Sequence, residues 1–364
     1  MTDKKQKIFF SSKENFGEMC LDLLKQIGTA DKLLKITIFN APTDNEEYMF
    51  NLRQFTDCVK DYFGQEAPLT AYVAQPCVTA RMAAEVTYMP EEVEYERHDG
   101  YTLLHGTGFC ELITKGIVPT STSATIRRQS EEIFSQLGTM LSKHGFAISD
   151  IYRQWNYIEQ ITAMNDERQN YQEYNDARSR FYNSAEWSNG YPAATGIGTS
   201  CGGVMIEAYA IKGNNVVNHA IDNPVQVSAH NYSQKVLTGK TDEAQRTTPK
   251  FERARIVGNT VYISGTAAIK GENSLPLDKA AAQTAETMQI IKSLTATGNI
   301  PVDCTATDYT LLRTYIKNSS DASEVMEFME AHYPAVPKHY LIADVCRPEL
   351  LIEIEGTATA TTEK

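Results

Sequence analysis

The sequence predicts an α+β fold: mixed sheets with packed helices, repeated along one chain. Three observations carry this expectation. The order of expected strands and helices recurs in three segments. The period is about 120 residues, too long for a solenoid and suited to α+β units packed side by side. Each segment also ends alike, with a cysteine six to eight residues before a glutamate in a final strand: Cys77 before Glu85, Cys201 before Glu207 and Cys346 before Glu353.

The first segment offers a helix over 16–26, a strand over 34–39, a helix over 46–63 and strands over 69–75 and 82–89. It lacks an opening hairpin unless residues 6–11 supply part of one. The acidic stretch from Glu91 to Glu96 marks a first boundary, with charge that belongs on a solvated surface. The middle segment opens with strands over 101–112. A helix follows over 130–144, with Ile133, Leu137, Met140 and Leu141 on one face. Next come a strand over 151–158, a helix over 166–182, and strands over 193–199 and 204–211. A second boundary falls near Gly213-Asn214-Asn215, and the polar run from Thr238 to Glu243 reads as a loop. In the last segment a hairpin spans 255–265, turning at Gly258-Asn259. An Ala-rich helix over 277–293 has Asp278 where an N-cap belongs and Gly298 beyond its end. A strand over 307–316, a helix over 322–332 and strands over 339–344 and 350–357 complete it. The units expected are residues 1–95, a partial N-terminal one, 96–220 and 221–364.

Composition narrows the function. With 364 residues, 42% of them hydrophobic, the chain is long enough for a substantial core. Lys+Arg of 34 against Asp+Glu of 46 gives a formal charge of -12, which argues against nucleic-acid binding. No run approaches the ~18 uninterrupted apolar residues of a membrane span. The charged start, with only Ile8-Phe9-Phe10 before polar residues resume, is no secretory signal. Seven cysteines without a CxxC, and seven histidines without HExxH or HxH spacing, indicate a reduced cytoplasmic protein and no metal site.

Glycine motifs exclude further classes. The window from Trp187 to Thr199 contains Gly196-x-Gly198, but a strand follows where a dinucleotide-binding fold needs a helix. No GxxxxGK[ST] occurs, and the Gly198-Thr199-Ser200-Cys201-Gly202 match to GxSxG is followed by a strand rather than a helix, so neither a P-loop ATPase nor an α/β-hydrolase is expected. What these glycines offer is close approach of backbone to a ligand. Upstream, Arg153, Trp155 and Tyr157 share one face of a strand while Asn156 points to the other. An arginine there suits bidentate capture of a carboxylate, or else a salt bridge.

Several ordered motifs carry a resemblance: Arg153 to Ile158 (RQWNYI), Gly190 to Thr199 (GYPAATGIGT), Asn223 to Ala229 (NPVQVSA), Phe251 to Ala254 (FERA), Ile263 to Ile269 (ISGTAAI), and Val345-Cys346-Arg347 with Glu353. Together they resemble the chorismatase family, over roughly residues 100 to 360. The last segment is also similar to the broader RidA/YjgF family. The resemblance implies RidA/YjgF-like (chorismate-mutase-like) units forming a pseudo-trimer within one polypeptide, and a monomer with internal threefold pseudosymmetry. It implies release of pyruvate from the small molecule chorismate. Family members make either a dihydroxycyclohexadiene carboxylate, 3-hydroxybenzoate, or both 3- and 4-hydroxybenzoate. A cysteine seven positions before the catalytic glutamate goes with an aromatic product, and Cys346 and Glu353 have that spacing.

An enol ether breaks after its methylene carbon takes a proton, which requires a well-placed acid. Glu353 serves only with a raised pKa, as burial among apolar neighbours gives. Leu351 and Glu355 share its strand face, so Glu355 competes for the role, and only the family position favours Glu353. Cys346 shapes the pocket or assists ring opening, its other role being a small buried hydrophobe. Arg153 and Arg347 are the candidates for the two carboxylates. Tyr191, Thr195, Gly196 and Gly198 are expected to line the pocket, with Ser264, Gly265, Thr266 and Ala267 approaching from the neighbouring segment. Arg178 and Arg180 are left unassigned. The chemistry is redox-neutral and requires no cofactor. The competing readings are a RidA-like enamine or imine deaminase, which leaves the WNYI and YPAATGIGT motifs unexplained, and a silent ligand-binding protein of the same fold.

Overall fold

The computed structural model describes residues 3–29, 31–214, 216–296, 298–300 and 306–361. The first region is β1 (Lys5–Ser11), α1 (Phe16–Ile27), β2 (Leu33–Asn40), α2 (Asn45–Phe63), β3 (Leu69–Ala74) and β4 (Met82–Tyr88). Then follow β5 (Glu94–His98), β6 (Tyr101–Gly106), β7 (Phe109–Thr114), α3 (Ile126–Lys143), β8 (Ile151–Glu159), a short ribbon of β9 (Met164–Asn165) and β10 (Arg168–Gln169), α4 (Asn170–Tyr182), β11 (Ala193–Thr199) and β12 (Val204–Gly213). The rest is β13 (Asn218–Ile221), β14 (Ala254–Val257), β15 (Thr260–Thr266), a second ribbon of β16 (Ile269–Lys270) and β17 (Asn273–Ser274), α5 (Ala280–Leu294), β18 (Ala306–Ile316), α6 (Ala322–His332), β19 (Lys338–Ile342) and β20 (Ile352–Thr361).

The sheets run β1-β4-β2-β3, β11-β8-β12-β7-β6-β5 and β13-β14-β15-β20-β18-β19. Aligned as β1-β4-β2-β3, β7-β12-β8-β11 and β15-β20-β18-β19, they share one order. Each has two antiparallel pairs and then one parallel pair: β2 with β3, β8 with β11, and β18 with β19. Each parallel pair is joined through a helix, as a parallel crossover requires. The α+β repeat expected from the sequence is therefore present. The first sheet has β1 where the other two place a hairpin, so residues 6–11 do supply one strand of it.

Each sheet buries one face under its own helices. Leu23, Leu24, Tyr48 and Phe55 pack on Ile36, Ile38 and Val86. Ile133, Leu137 and Tyr174 pack on Ile158, Ile206 and Ala208. Met288, Ile291 and Met329 pack on Ile263, Leu312 and Ile354. The opposite faces meet in a common core that mixes Phe39 and Val73, Trp155 and Tyr157, and Tyr262 and Tyr315. Three buried glutamates close this core in a cycle. Glu85 of the first sheet pairs with Arg313 of the third (2.7 Å), Glu355 of the third with Arg153 of the second, and Glu207 of the second with Lys35 of the first. Buried charges persist only when paired in this way.

Among the local expectations that differ from the structure, four stand out. The helix expected from residue 166 begins at Asn170, because Asp166 and Glu167 take φ of 48° and 69° in the turn of the β9–β10 ribbon. Asp278 does not cap α5: the N-cap is Lys279, with no side-chain bond. The acidic boundary stretch forms β5 in its second half, an exposed edge strand. The strand β13 was not expected from the sequence. Asn215 and Cys304 lie outside the described residues. Among the described residues, no helix is long and apolar enough to cross a membrane.

Candidate active site

The strands β20 and β15 lie side by side, and the end of β15 carries Gly265 to the position opposite Glu353. A cavity of about 850 Å³ opens there. It lies between α4 of the second region and the third sheet. Its walls are Tyr171, Gln172 and Asn175 of α4, the strap from Tyr232 through Thr238 to Phe251 and Arg253, the segment around the β16–β17 ribbon, and residues 346–353.

Glu353 is 4% exposed and lines this cavity. Burial, and next the negative charge of Glu355, push its carboxyl up to about 8, against an opposing pull from Arg253. It is therefore mostly protonated at neutral pH. Glu355, on the same strand face, behaves oppositely. Its carboxylate accepts from Arg153 and Thr195, from Arg313 (3.0 Å), from Trp155 Nε1 (3.1 Å) and from the Tyr315 hydroxyl (2.6 Å). Although burial alone would raise it, the charges of Arg153 and Arg313 hold Glu355 below its ordinary range. Two neighbouring carboxyls are thus separated into one proton donor and one fixed anion, the pattern of an acid–base site.

Gly265 is required by space. A Cβ there would overlap the Glu353 carboxyl and approach Thr195 Cγ2 to 3.0 Å. Its amide donates to Thr195 Oγ1 at 3.1 Å, which ties the loop to the Glu355 network. Cys346 also lines the cavity, and its thiol is pushed up to about 12 by burial first and by Glu353 next. It is a neutral thiol here, a small apolar wall rather than a thiolate.

The twelve residues expected at the site divide. Glu353, Cys346, Gly265, Ala267 and Arg347 line the cavity; Arg153, Tyr191, Thr195, Gly196, Gly198, Ser264 and Thr266 do not. Arg153 requires correction as a carboxylate anchor in this cavity: it is 1% exposed, does not line the wall, and its Nη2 donates to Glu355 and Thr195, while its Nε and Nη1 are buried without a partner. Tyr191 stacks on Tyr182 and tilts against Trp187, outside the cavity wall. Gly196 lets the Tyr171 ring approach, since a Cβ there would sit 3.2 Å from it. The amide of Gly198 donates to the Asp344 carbonyl (2.8 Å), and Ser264 Oγ donates to the Glu252 carbonyl (2.6 Å) while accepting from the Ala194 amide (2.9 Å). These bonds seam the second and third regions together. Thr266 Oγ1 donates to the Ser264 carbonyl at 2.9 Å.

Sequence reasoning missed Arg253, Tyr171, Asn175 and Phe251. Arg253 and Phe251 stood in the FERA motif, which was the available signal. Arg253 donates to the Val227 carbonyl and to the Tyr232 hydroxyl (2.7 Å), and its Nε is buried without a partner. Arg347 donates to the Glu272 carbonyl (2.9 Å) and Ser274 Oγ (3.1 Å). Neither arginine forms an ion pair among the described residues.

The corresponding junction between the first and second regions is closed. Tyr48 and Tyr72 stack there at 4.9 Å beside Cys201 and Met205, leaving about 10 Å³. Met205 stands two residues before Glu207, as Glu353 stands two before Glu355, so the proton donor has no counterpart there. The glutamate echoed along the sequence corresponds structurally to Glu355, not Glu353.

Known proteins share this architecture. Residues 85–210 match the family model described as Chorismatase FkbO/Hyg5-like, N-terminal. A 3-hydroxybenzoate synthase of Streptomyces hygroscopicus is 28% identical over 76% of this chain and 82% of its own length. A chorismatase of Streptomyces rapamycinicus is 26% identical over 62% of this chain and 66% of its own. The crystal structure of a chorismatase superposes with a TM-score of 0.73 at 19% identity, covering 98% of this chain and 99% of that one.

Proposed function

Because this chain belongs with the chorismatases, we propose that it converts chorismate to 3-hydroxybenzoate and pyruvate. The observation that carries the reading is Glu353: a buried carboxyl, mostly protonated at neutral pH, facing a cavity that Arg253 and Arg347 also line. Glu353 donates its proton to the enolpyruvyl methylene carbon, which creates an oxocarbenium ion. The ring hydroxyl then displaces the departing pyruvyl group within the molecule, forming an epoxide. Opening of that epoxide and loss of a ring proton restore aromaticity and return the proton. Atoms balance with no water consumed and no electrons transferred.

Cys346 forms the wall near Glu353 that keeps water from competing with the ring hydroxyl. Arg253, whose charge acts on Glu353, takes the enolpyruvyl carboxylate, with Arg347 beside it. Gly265 gives Glu353 the room to reach the substrate. We read the units as residues 1–95, 96–220 and 221–364, the last carrying the acid and the monomer forming the ring alone. The described free cysteines suit a cytoplasmic enzyme.

The test is purified protein with chorismate and no added metal, following pyruvate and separating the ring products by chromatography. Stoichiometric pyruvate with 3-hydroxybenzoate is expected. Pyruvate with the dihydroxycyclohexadiene carboxylate, or with 4-hydroxybenzoate, would discard the proposed product. No pyruvate from folded protein would refute the reaction and turn attention to enamine and imine substrates.

A further inference from the structure

The repeated architecture supplies an internal comparison for the acid. At the closed junction Gly116, Met205 and Ala71 take the places that Gly265, Glu353 and Thr195 take at the open one. Ala71 and Thr195 share a register. Each pairs with the residue opposite its own sheet's buried glutamate, Ala71 with Thr37 facing Glu85 and Thr195 with Trp155 facing Glu207. A Cβ on Gly116 would meet Met205 Sδ at 2.6 Å and Ala71 Cβ at 3.2 Å, as one on Gly265 would meet Glu353 and Thr195. The hydrogen bonding differs. Ala71 has no hydroxyl, and the Gly116 amide donates to the main-chain carbonyl of Thr70 (3.0 Å). Where the acid stands, the equivalent glycine amide donates to a side chain, Thr195 Oγ1 (3.1 Å).

That hydroxyl is fully used. A threonine oxygen offers one donor and two acceptor sites. Thr195 Oγ1 accepts from the Gly265 amide and from Arg153 Nη2 (3.0 Å), so its own proton goes to Glu355. The strand shows why Gly265 needs such a partner. Ile263 pairs with Gly356 and Thr266 with Ile354, so Ser264 and Gly265 bulge opposite the single residue Glu355. A bulge takes a residue out of the ladder and re-aims the strand. Two successive residues of the second region hold this one: the Ala194 amide donates to Ser264 Oγ (2.9 Å), and Thr195 receives the Gly265 amide.

We propose that Thr195 is a positioning residue for the acid: its hydroxyl pins the Ser264–Gly265 bulge against the Glu353 carboxyl, which keeps that carboxyl aimed into the cavity and covered on its strand side. The assignment rests on the reading of Glu353 as the proton donor. Thr195 does not line the cavity, so it acts through Gly265 and not on the substrate.

Thr195→Val keeps the shape of the side chain and removes the hydroxyl, whereas Thr195→Ser keeps the hydroxyl. For pyruvate release from chorismate, kcat of the valine variant should fall at least about tenfold, because an acid misplaced by about 1 Å loses much of its effect. KM should stay within about threefold, and Thr195→Ser should return kcat to within about threefold of wild type. In a Glu353→Gln background Thr195→Val should cost no more than about twofold, since no acid is left to position.

A second readout needs no turnover. Glu353 holds its proton more tightly in the folded chain than in the unfolded one, so stability falls as pH rises. A loosened bulge lets water reach the carboxyl. By urea denaturation the fall between about pH 5 and 8.5 should be shallower in Thr195→Val and restored in Thr195→Ser. The titratable groups around Glu353 are Glu355, Arg253, Cys346 and Tyr171. Of these Glu355 alone bonds Thr195, and Arg153 and Arg313 keep it ionised in the variants. Thr195→Ala replaces the valine variant, with the same expectations, if valine does not fold. Wild-type kcat in the valine variant, an unchanged pH dependence of its stability, or a serine variant as impaired as the valine one would overturn the proposal. If the wild type releases no pyruvate, the chorismate reading falls while the stability comparison still decides the role of Thr195.

Discussion

Replacing Glu353 by glutamine tests the acid through stability as well as rate. Its carboxyl moves from an ordinary 4.5 in the unfolded chain to about 8 in the folded one. The folded state therefore holds the proton more tightly. The stability this confers is fully present below pH 4.5 and is lost as pH rises toward 8. Each pH unit in that window is worth 1.36 kcal/mol, so the loss amounts to about 5 kcal/mol by pH 8.5. Glutamine does not titrate. Urea denaturation of both proteins from pH 5 to 8.5 should show the variant gaining on the wild type by about 4 kcal/mol, since part of the loss has already occurred by pH 5. In parallel, pyruvate release by the variant should fall by a factor of about 10² to 10⁴, the contribution of a positioned acid, and wild-type kcat should decline as pH rises through about 8. A stability difference that does not change with pH would show that Glu353 titrates normally and would refute the reasoning. So would normal turnover by the variant.

Other substitutions probe the neighbours. Gly265→Ala places a methyl group where the Glu353 carboxyl sits; kcat should drop by about 10² with a smaller change in KM, because a misplaced acid loses most of its contribution. Cys346→Ala opens the wall beside Glu353 to water, and chromatography should show product shifting toward the dihydroxycyclohexadiene carboxylate; an unchanged ratio would remove Cys346 from product control. Arg153→Met removes one of the two arginines that hold Glu355, leaving Arg313, so denaturation should report a loss of about 3 kcal/mol. Its effect on the KM for chorismate should be slight, whereas a large rise in KM at unchanged stability would restore Arg153 as a substrate anchor.

Most of the repeat was legible because strand alternation and helical spacing act locally. Ile133, Leu137 and Leu141 share a helix face in the sequence, and all three are buried under the second sheet. Misjudged boundaries lay where a turn overrode periodicity. Asp166 and Glu167 carry helix-compatible side chains, but the ribbon they join forces positive φ. The cysteine–glutamate echo was a true trace of repetition with its last member misaligned by two residues. Period-2 alternation places Glu353 and Glu355 on one face and cannot tell them apart.

The sequence alone determined the α+β repeat, the family motifs and the glutamate pair on the final strand, since these depend on neighbours a few residues away. Tertiary structure alone set the two glutamates apart, raising the carboxyl of Glu353 and holding Glu355 as an anion. Arg153 and Arg313, about 200 and 40 residues from Glu355, converge on it, while Glu353 feels only the opposing pull of Arg253, which burial and Glu355 outweigh. It also decided that Arg153 pairs with Glu355 in the core, while Arg253 has no carboxylate partner among the described residues. The charge state of a buried group depends on what the fold brings within a few ångströms, and no spacing along the chain encodes that distance.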